Sequence, residues 1–249
     1  MYSQNNIEEL FELIGKIPEQ EYFRSKKYDF IKTRGSIWPN QLLNIEVHID
    51  DLGEVLEEIE NQGNVKTIPN LLMCNPIRDN ALIIEKIKAR NYQSSLWTAM
   101  SHNLTVIDQP DSKNKLTIKL IDKQNDLRKW LDIVEEELMG SKKLNYKLFE
   151  SLLEEGNSYF FLGIQNDKPV ATSFLFKGKS SAGIYLVSTL KTHRKKGIGK
   201  LMTLKCLEMA KELKCKKVDL QATDLGKKVY ESTGFKDYGA IHVFRITPA

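Results

Sequence analysis

Residues 184–210 read IYLVSTLKTHRKKGIGKLMTLKCLEMA, and the middle of this stretch gathers Lys191, Arg194, Lys195, Lys196 and Lys200 around Gly197 and Gly199. Cations and glycines mixed in this way are suited to holding an anion. The run 184–187 is apolar and β-favouring, whereas Ile198, Met202, Cys206, Met209, Ala210 and Leu213 recur at helical spacing, so a strand gives way to a helix across the loop. The first-turn N–H groups of such a helix have no intrahelical partners, and its dipole favours negative charge there. Glycines remove side chains where a ligand would approach the backbone. The loop is not a P-loop, because G-x-x-x-x-G-K-[ST] is absent, and not a dinucleotide fingerprint, because the first glycine of G-x-G-x-x-G is missing. It reads as a phosphate cradle of another kind.

Other chemistry is sparse. The three cysteines, Cys74, Cys206 and Cys215, form no C-x-x-C and are too few and odd in number for a disulfide framework. Cys206 lies on the apolar stripe of the helix after the loop and reads as a small buried side chain rather than a nucleophile. The four histidines, His48, His102, His193 and His242, lack ligand spacing, so no metal site is expected.

Periodicity supplies the elements that position the loop. Leu116, Ile118 and Leu120 alternate with polar residues as a strand, and Asp126 is placed to cap a helix whose stripe is Leu127, Trp130, Leu131, Val134 and Leu138. A second helix over 145–155 presents Leu148, Leu152 and Leu153. Strands 159–164 and 170–176 flank Gln165-Asn166-Asp167-Lys168 as a hairpin. A strand over 183–188, a helix over 198–213, a strand over 218–222, a helix over 225–232 and a strand over 241–246 complete the order β-α-α-β-β-β-α-β-α-β.

Arg194-Lys195-Lys196-Gly197-Ile198-Gly199 matches R-x-x-G-x-G, and Tyr230-Glu231-Ser232-Thr233-Gly234-Phe235 is similar to a Y-x-x-x-G-F ending. Together with the element order, these residues resemble the GNAT superfamily of acyl-CoA-dependent N-acetyltransferases, over residues 115–249. The resemblance implies an α/β (α+β by some schemes) fold with a mixed, mostly antiparallel central sheet flanked by helices. It implies acetyl-CoA as cosubstrate, its pyrophosphate held by Arg194, Lys195, Lys196, Gly197, Ile198, Gly199 and Lys200. Ser188, Thr189 and Leu190 would pair with the pantetheine arm, with an amide near Leu190 directed at the acyl carbonyl to stabilise the oxyanion. Tyr230 would be the general acid. A phenol near pKa 10 stays protonated at neutral pH and can supply the proton that the departing thiolate, of pKa about 8.5, requires. A primary amine would attack directly, without an acyl-enzyme, in keeping with the lack of a convincing nucleophile. The base is less legible: Asp219, Gln221 and Thr223 are candidates by position alone. A catalytically silent module that binds acyl-CoA as a sensor or scaffold is the alternative reading.

Residues 1–114 are expected to form a smaller mixed α/β domain. Ile7, Leu10, Phe11 and Ile14 share a helical face, further helices are expected over 50–61 and 80–90, and strands over 42–48 and 95–101. The order of a helix, Lys88-Ala89-Arg90-Asn91-Tyr92 and a strand is weakly similar to the end of a GNAT fold, so this segment is a degenerate, partial GNAT-like half, a family-specific cap or an unrelated α/β domain. The polar stretch 108–115 is the expected boundary.

A net charge of +4, with lysines and glutamates interspersed and no aromatic in the basic loop, argues against nucleic acid. The run Glu135-Glu136-Glu137 reads as a solvated helix face. The N-terminus lacks a cationic start followed by an apolar core, and no apolar run approaches a membrane span. The expectation is a cytoplasmic monomer or homodimer whose partners are acyl-CoA and an amine, without membrane or nucleic acid.

Overall fold

The computed structural model describes residues 5–74, 81–105, 107, 115–122, 124–179 and 181–247. Of the expected boundary at 108–115, residues 108–114 lie outside the described residues. The first half comprises α1 (Asn5–Ile14), β1 (Gln20–Phe23), β2 (Asp29–Thr33), β3 (Gln41–Leu43), α2 (Leu52–Asn64), β4 (Leu71–Cys74), α3 (Ala81–Lys88) and β5 (Gln93–His102). The second comprises β6 (Thr117–Leu120), α4 (Gln124–Leu138), α5 (Tyr146–Glu154), β7 (Ser158–Gln165), β8 (Lys168–Lys177) and β9 (Ala182–Thr189). After a 3-10 turn (Lys191–His193) come α6 (Ile198–Glu212), β10 (Val218–Ala222), α7 (Asp224–Glu231) and β11 (Lys236–Arg245). The order expected for the second half is the order found.

Two local expectations are corrected. The strand expected over 42–48 stops at Leu43, because Asn44 turns into the left-handed region (φ 54°) and its side-chain amide donates to Asp29 Oδ2 at 2.9 Å. Asp126 does not cap α4, which already begins at Gln124. It lies in the first turn, where it accepts from Lys119 Nζ at 2.6 Å and Lys129 Nζ at 3.0 Å.

All strands join one 11-stranded sheet in the order β1-β2-β3-β4-β11-β5-β10-β9-β8-β7-β6. The halves exchange their last strands across its middle. Antiparallel β5, from the first half, pairs with β10, whereas antiparallel β11, from the second, pairs with β4. The two exchanged strands also pair with each other, from Lys236↔Ser101 to Arg245↔Gln93. The strand set β1, β2, β3, β4, β11 therefore repeats the pairing pattern of β7, β8, β9, β10, β5: antiparallel, antiparallel, parallel, antiparallel.

One face of the sheet packs α1, α4 and α5. Its centre is aromatic: Trp130 meets Phe160 edge-on with centroids 5.1 Å apart, Phe160 stacks on Phe174 at 4.4 Å, and the Trp130 indole N–H donates to Ser173 O at 3.3 Å. Each such ring, fully buried, contributes about 1.5–3 kcal/mol. The other face packs α6 through Ile198, Met202, Cys206 and Ala210, the stripe read from periodicity. Helix α1 crosses to the second half. Asn6 donates to Ser181 O at 2.6 Å and accepts from the Tyr185 hydroxyl at 2.7 Å, and a Cβ on Gly183 would collide with both side chains. No helix among the described residues is long and apolar enough to cross a membrane.

Candidate active site

The site begins where two neighbouring strands part. Strands β9 and β10 are parallel and pair only at Val218↔Ala182 and Asp219↔Gly183. Beyond that point β10 stays with β5 as far as Ala222↔Thr98, and β9 stays with β8 as far as Thr189↔Ala171. A gap opens between them toward their C-terminal ends. A bulge helps to bend β9 away: the β8–β9 register shifts between Thr172 and Phe174, and Leu186 takes φ 51°. The Thr172 hydroxyl secures the bulge, lying 3.0 Å from Leu186 O and 2.7 Å from Ser188 Oγ.

This pairing decides which backbone groups reach the gap. Leu190 N–H donates to Val170 O at 2.9 Å, so it faces β8 and not the gap, in contrast with its expected role at the acyl carbonyl. Backbone groups alternate sides along an antiparallel strand. Thr189, one residue earlier, therefore turns its amide and carbonyl to the open side, and the Ser188 side chain is buried against Thr172.

At the mouth of the gap stands the basic loop. The 3-10 turn is closed by His193 N–H to Leu190 O at 2.8 Å and Arg194 N–H to Lys191 O at 3.3 Å. Lys195 is left-handed (φ 60°), and Gly197, the N-cap of α6, is left-handed at φ 74°. The second is where a glycine is required. Gly199, inside α6, is different: no positive φ requires glycine there, and a Cβ would meet only Val229 Cγ1 on α7, at 3.6 Å, an ordinary contact. Ile198 is buried and anchors the first turn, which leaves Lys195 and Lys196 exposed beside it and Lys200 partly exposed. A helix start of this kind, with cations around it, fits a pyrophosphate.

The arginine of the motif is engaged with the protein. Its guanidinium pairs with Glu137 Oε2, its Nε donates to Thr189 O at 3.1 Å, and Glu137 Oε1 accepts Lys191 N–H at 3.0 Å. The acidic run expected to be a solvated face is thus largely turned inward. Glu135 accepts from Lys143 Nζ at 2.7 Å, Leu144 N–H at 2.9 Å and Arg128 at 3.1 Å, while Glu136 alone is exposed. Burial works against ionisation of Glu135, but these donors outweigh it and hold the carboxyl below its usual range.

Tyr230 lies on α7, partly buried, with its ring edge-on to Phe235 at 6.0 Å. Burial, followed by the field of Cys206, pushes its phenol above the ordinary value, so it keeps its proton at neutral pH. The Cys206 thiol is pushed up to about 12 by burial, offset in part by its hydrogen bond to Ser173 Oγ at 3.3 Å, and is inert as a nucleophile. Of the base candidates, Thr223 is exposed at the start of α7 and Gln221 is partly buried. Asp219 is buried at the closed end of the gap, with Lys217 Nζ 3.4 Å away. Among the described residues no group of three or more His, Cys, Asp or Glu is arranged to hold a metal ion.

The first half has a loop in the corresponding place, 44–51, between β3 and α2. It carries Glu46, Asp50 and Asp51 and no lysine or arginine. Negative charge there opposes phosphate. A cleft of about 630 Å³ between the β1–β2 hairpin and α2, lined by Phe23, Phe30 and Glu58, contains none of the loop residues.

Residues 125–235 match the model of the Acetyltransferase (GNAT) family. Among solved structures, a GCN5-related N-acetyltransferase from Kribbella flavida is 14% identical with a TM-score of 0.73, the likeness covering 98% of this chain and 96% of that one. A GCN5-related N-acetyltransferase from Sphaerobacter thermophilus is also 14% identical, with a TM-score of 0.66 and coverage of 98% and 92%. A functionally unknown conserved protein from Staphylococcus epidermidis is 15% identical, with a TM-score of 0.64 and coverage of 91% and 93%. These are likenesses of fold, and they extend over the first half as well as the second. No curated protein matches the chain. The gap, the glycine-started helix and the match to the GNAT acetyltransferase family model thus fall in the same segment, residues 125–235.

Proposed function

We propose that the protein is an N-acetyltransferase that moves an acetyl group from acetyl-CoA to a primary amine by direct attack. The observation that carries this reading is the parting of β9 and β10 onto the left-handed Gly197 at the start of α6. The gap suits an extended pantetheine arm, and the α6 N-terminus with Lys195, Lys196 and Lys200 suits the pyrophosphate. The amide of Thr189, rather than that of Leu190, is assigned to the oxyanion. The amine nitrogen, once deprotonated, bonds to the thioester carbonyl carbon, the C–S bond breaks, and Tyr230 passes its proton to the departing thiolate. The ammonium's first proton leaves to solvent before attack, and the second, shed by the nitrogen as the amide forms, returns to the phenolate through water.

The first half is assigned as a GNAT-like repeat that kept the strand order and lost the phosphate cradle. The repeated pairing pattern and the acidic loop 44–51 support this. A thiol-release screen of acetyl-CoA against amino acids, polyamines, aminoglycosides and peptide N-termini, with mass spectrometry of the product, tests the proposal. The expected result is a monoacetylated amine from at least one class. Tight binding of acetyl-CoA with no thiol released by any acceptor would overturn catalysis in favour of a silent acyl-CoA-binding module.

A further inference from the structure

We infer that Glu137 is a positioning residue for the coenzyme loop, acting through Arg194, so that the motif arginine shapes the protein rather than reading phosphate. This rests on the acyl-CoA reading of the site. The Glu137 side chain is 1% exposed, although it lies against a loop rich in lysine. It holds both ends of the 3-10 turn, taking Lys191 N–H on Oε1 and the Arg194 guanidinium on Oε2. Arg194 in turn holds Thr189 O, which ties the turn back to the last residue of β9.

Electrostatics alone argues against such a residue. A carboxylate beside an anion site repels the anion, and burying it costs solvation. Its presence is explained if the geometry it enforces outweighs that repulsion. Fixing the loop before the ligand arrives lowers the ordering cost of binding. Glu137 also sits near the end of α4, whose Glu135 fixes the connection to α5 through Leu144 N–H and Lys143. The same short stretch of helix therefore fastens the α4–α5 connection on one side and the coenzyme loop on the other.

The sign of the effect separates this role from simple charge attraction. In the full-length protein, Glu137→Ala is expected to weaken acetyl-CoA binding by about tenfold or more in calorimetry, the scale of a lost charge-assisted hydrogen bond, although a negative charge has been removed. Glu137→Gln, which keeps an acceptor for Lys191 N–H, is expected to fall between. KM for acetyl-CoA rises while kcat at saturation changes little. Adding Arg194→Ala to Glu137→Ala causes little further loss, because the two act as a unit. Binding by Glu137→Ala as tight as wild type, or tighter, overturns the inference. An independent measurement needs no coenzyme: amide hydrogen exchange of 191–197 in the apo protein accelerates in Glu137→Ala, and unchanged exchange overturns the inference. Wild-type protein that binds no acetyl-CoA would defeat the acyl-CoA reading instead, and the exchange comparison would still decide whether Glu137 shapes the loop.

Discussion

Replacing the two glycines of the loop one at a time by alanine should produce opposite changes in stability. Gly197 has φ 74°, and a residue with a Cβ in the left-handed region costs about 1–2 kcal/mol. For a chain of this size each kcal/mol moves the melting temperature by roughly 2–4 °C, so Gly197→Ala should lower it by about 2–8 °C. Gly199 lies inside α6, where alanine is favoured over glycine by up to about 1 kcal/mol. Its new methyl would meet Val229 at 3.6 Å, an ordinary contact, so Gly199→Ala should hold or raise the melting temperature, by at most about 4 °C. Acetyl-CoA binding should follow the same division. Gly197→Ala distorts the N-cap and weakens binding, while the Gly199 methyl points to α7 and leaves binding nearly unchanged. Thermal unfolding followed by circular dichroism, with calorimetric titration of acetyl-CoA, reads both quantities. A Gly197→Ala protein as stable as wild type, or a Gly199→Ala protein destabilised as much as Gly197→Ala, would refute the assignment of strain to the first glycine and of room for a methyl to the second.

Three further outcomes are expected. Tyr230→Phe should lower kcat by about 100-fold or more, the contribution of a positioned general acid, with the acetyl-CoA dissociation constant little changed; equal turnover in thiol-release assays would remove Tyr230 from the mechanism. Glu135→Gln should lose about 1–2 kcal/mol of stability at pH 7, less than a fully buried pair because Arg128 and Lys143 are well exposed. Since the folded carboxyl titrates below its unfolded value near 4.3, that stabilisation is present above this pH and disappears as the pH falls through the folded value. Urea titrations at pH 7 and pH 3.5 should thus show a gap between variant and wild type at the first pH that narrows at the second. Native-state alkylation with iodoacetamide, mapped by mass spectrometry, should modify the partly exposed Cys215 and spare the buried Cys206, and Cys206→Ala should retain turnover.

The second half was legible in the sequence because its elements are long and its signals local. Gln165-Asn166-Asp167-Lys168 announces a hairpin, the Leu127 to Leu138 stripe a helix, and 218–222 a strand whose ends agree with β10. The first half was read less well. Strand β1 is four residues with two exposed, β2 is almost wholly buried and shows no alternation, and β4 is the short apolar run Leu71–Cys74. Runs of this kind do not distinguish strand from buried helix. Around the gap, the left-handed glycine that starts α6 follows from motif and spacing. The orientation of the Leu190 amide does not, because it is set by its bond to Val170 on another strand. Nor could spacing show that Glu137, a charged residue near the end of a helix, would be buried against a loop more than fifty residues away. Its signal was a coincidence of charge: an acidic run and a basic loop in one domain, with a long-range partner that only the fold supplies.

The exchange of β5 and β11 has a consequence for how the molecule is made. A chain leaving the ribosome completes β4 and β5 early, yet β11, the strand that separates them in the finished sheet, emerges after all the other strands described. Until Arg245 is available, β4 and β5 each lack a neighbour along one edge, and neither half holds its full complement of strands. Open edges of that kind invite pairing with other chains. The pairing of Arg245 with Leu71 is also among the least local in the fold, which places its formation late and slow. The sheet is therefore closed from its middle by β11, and its vulnerable interval lasts until that strand has paired.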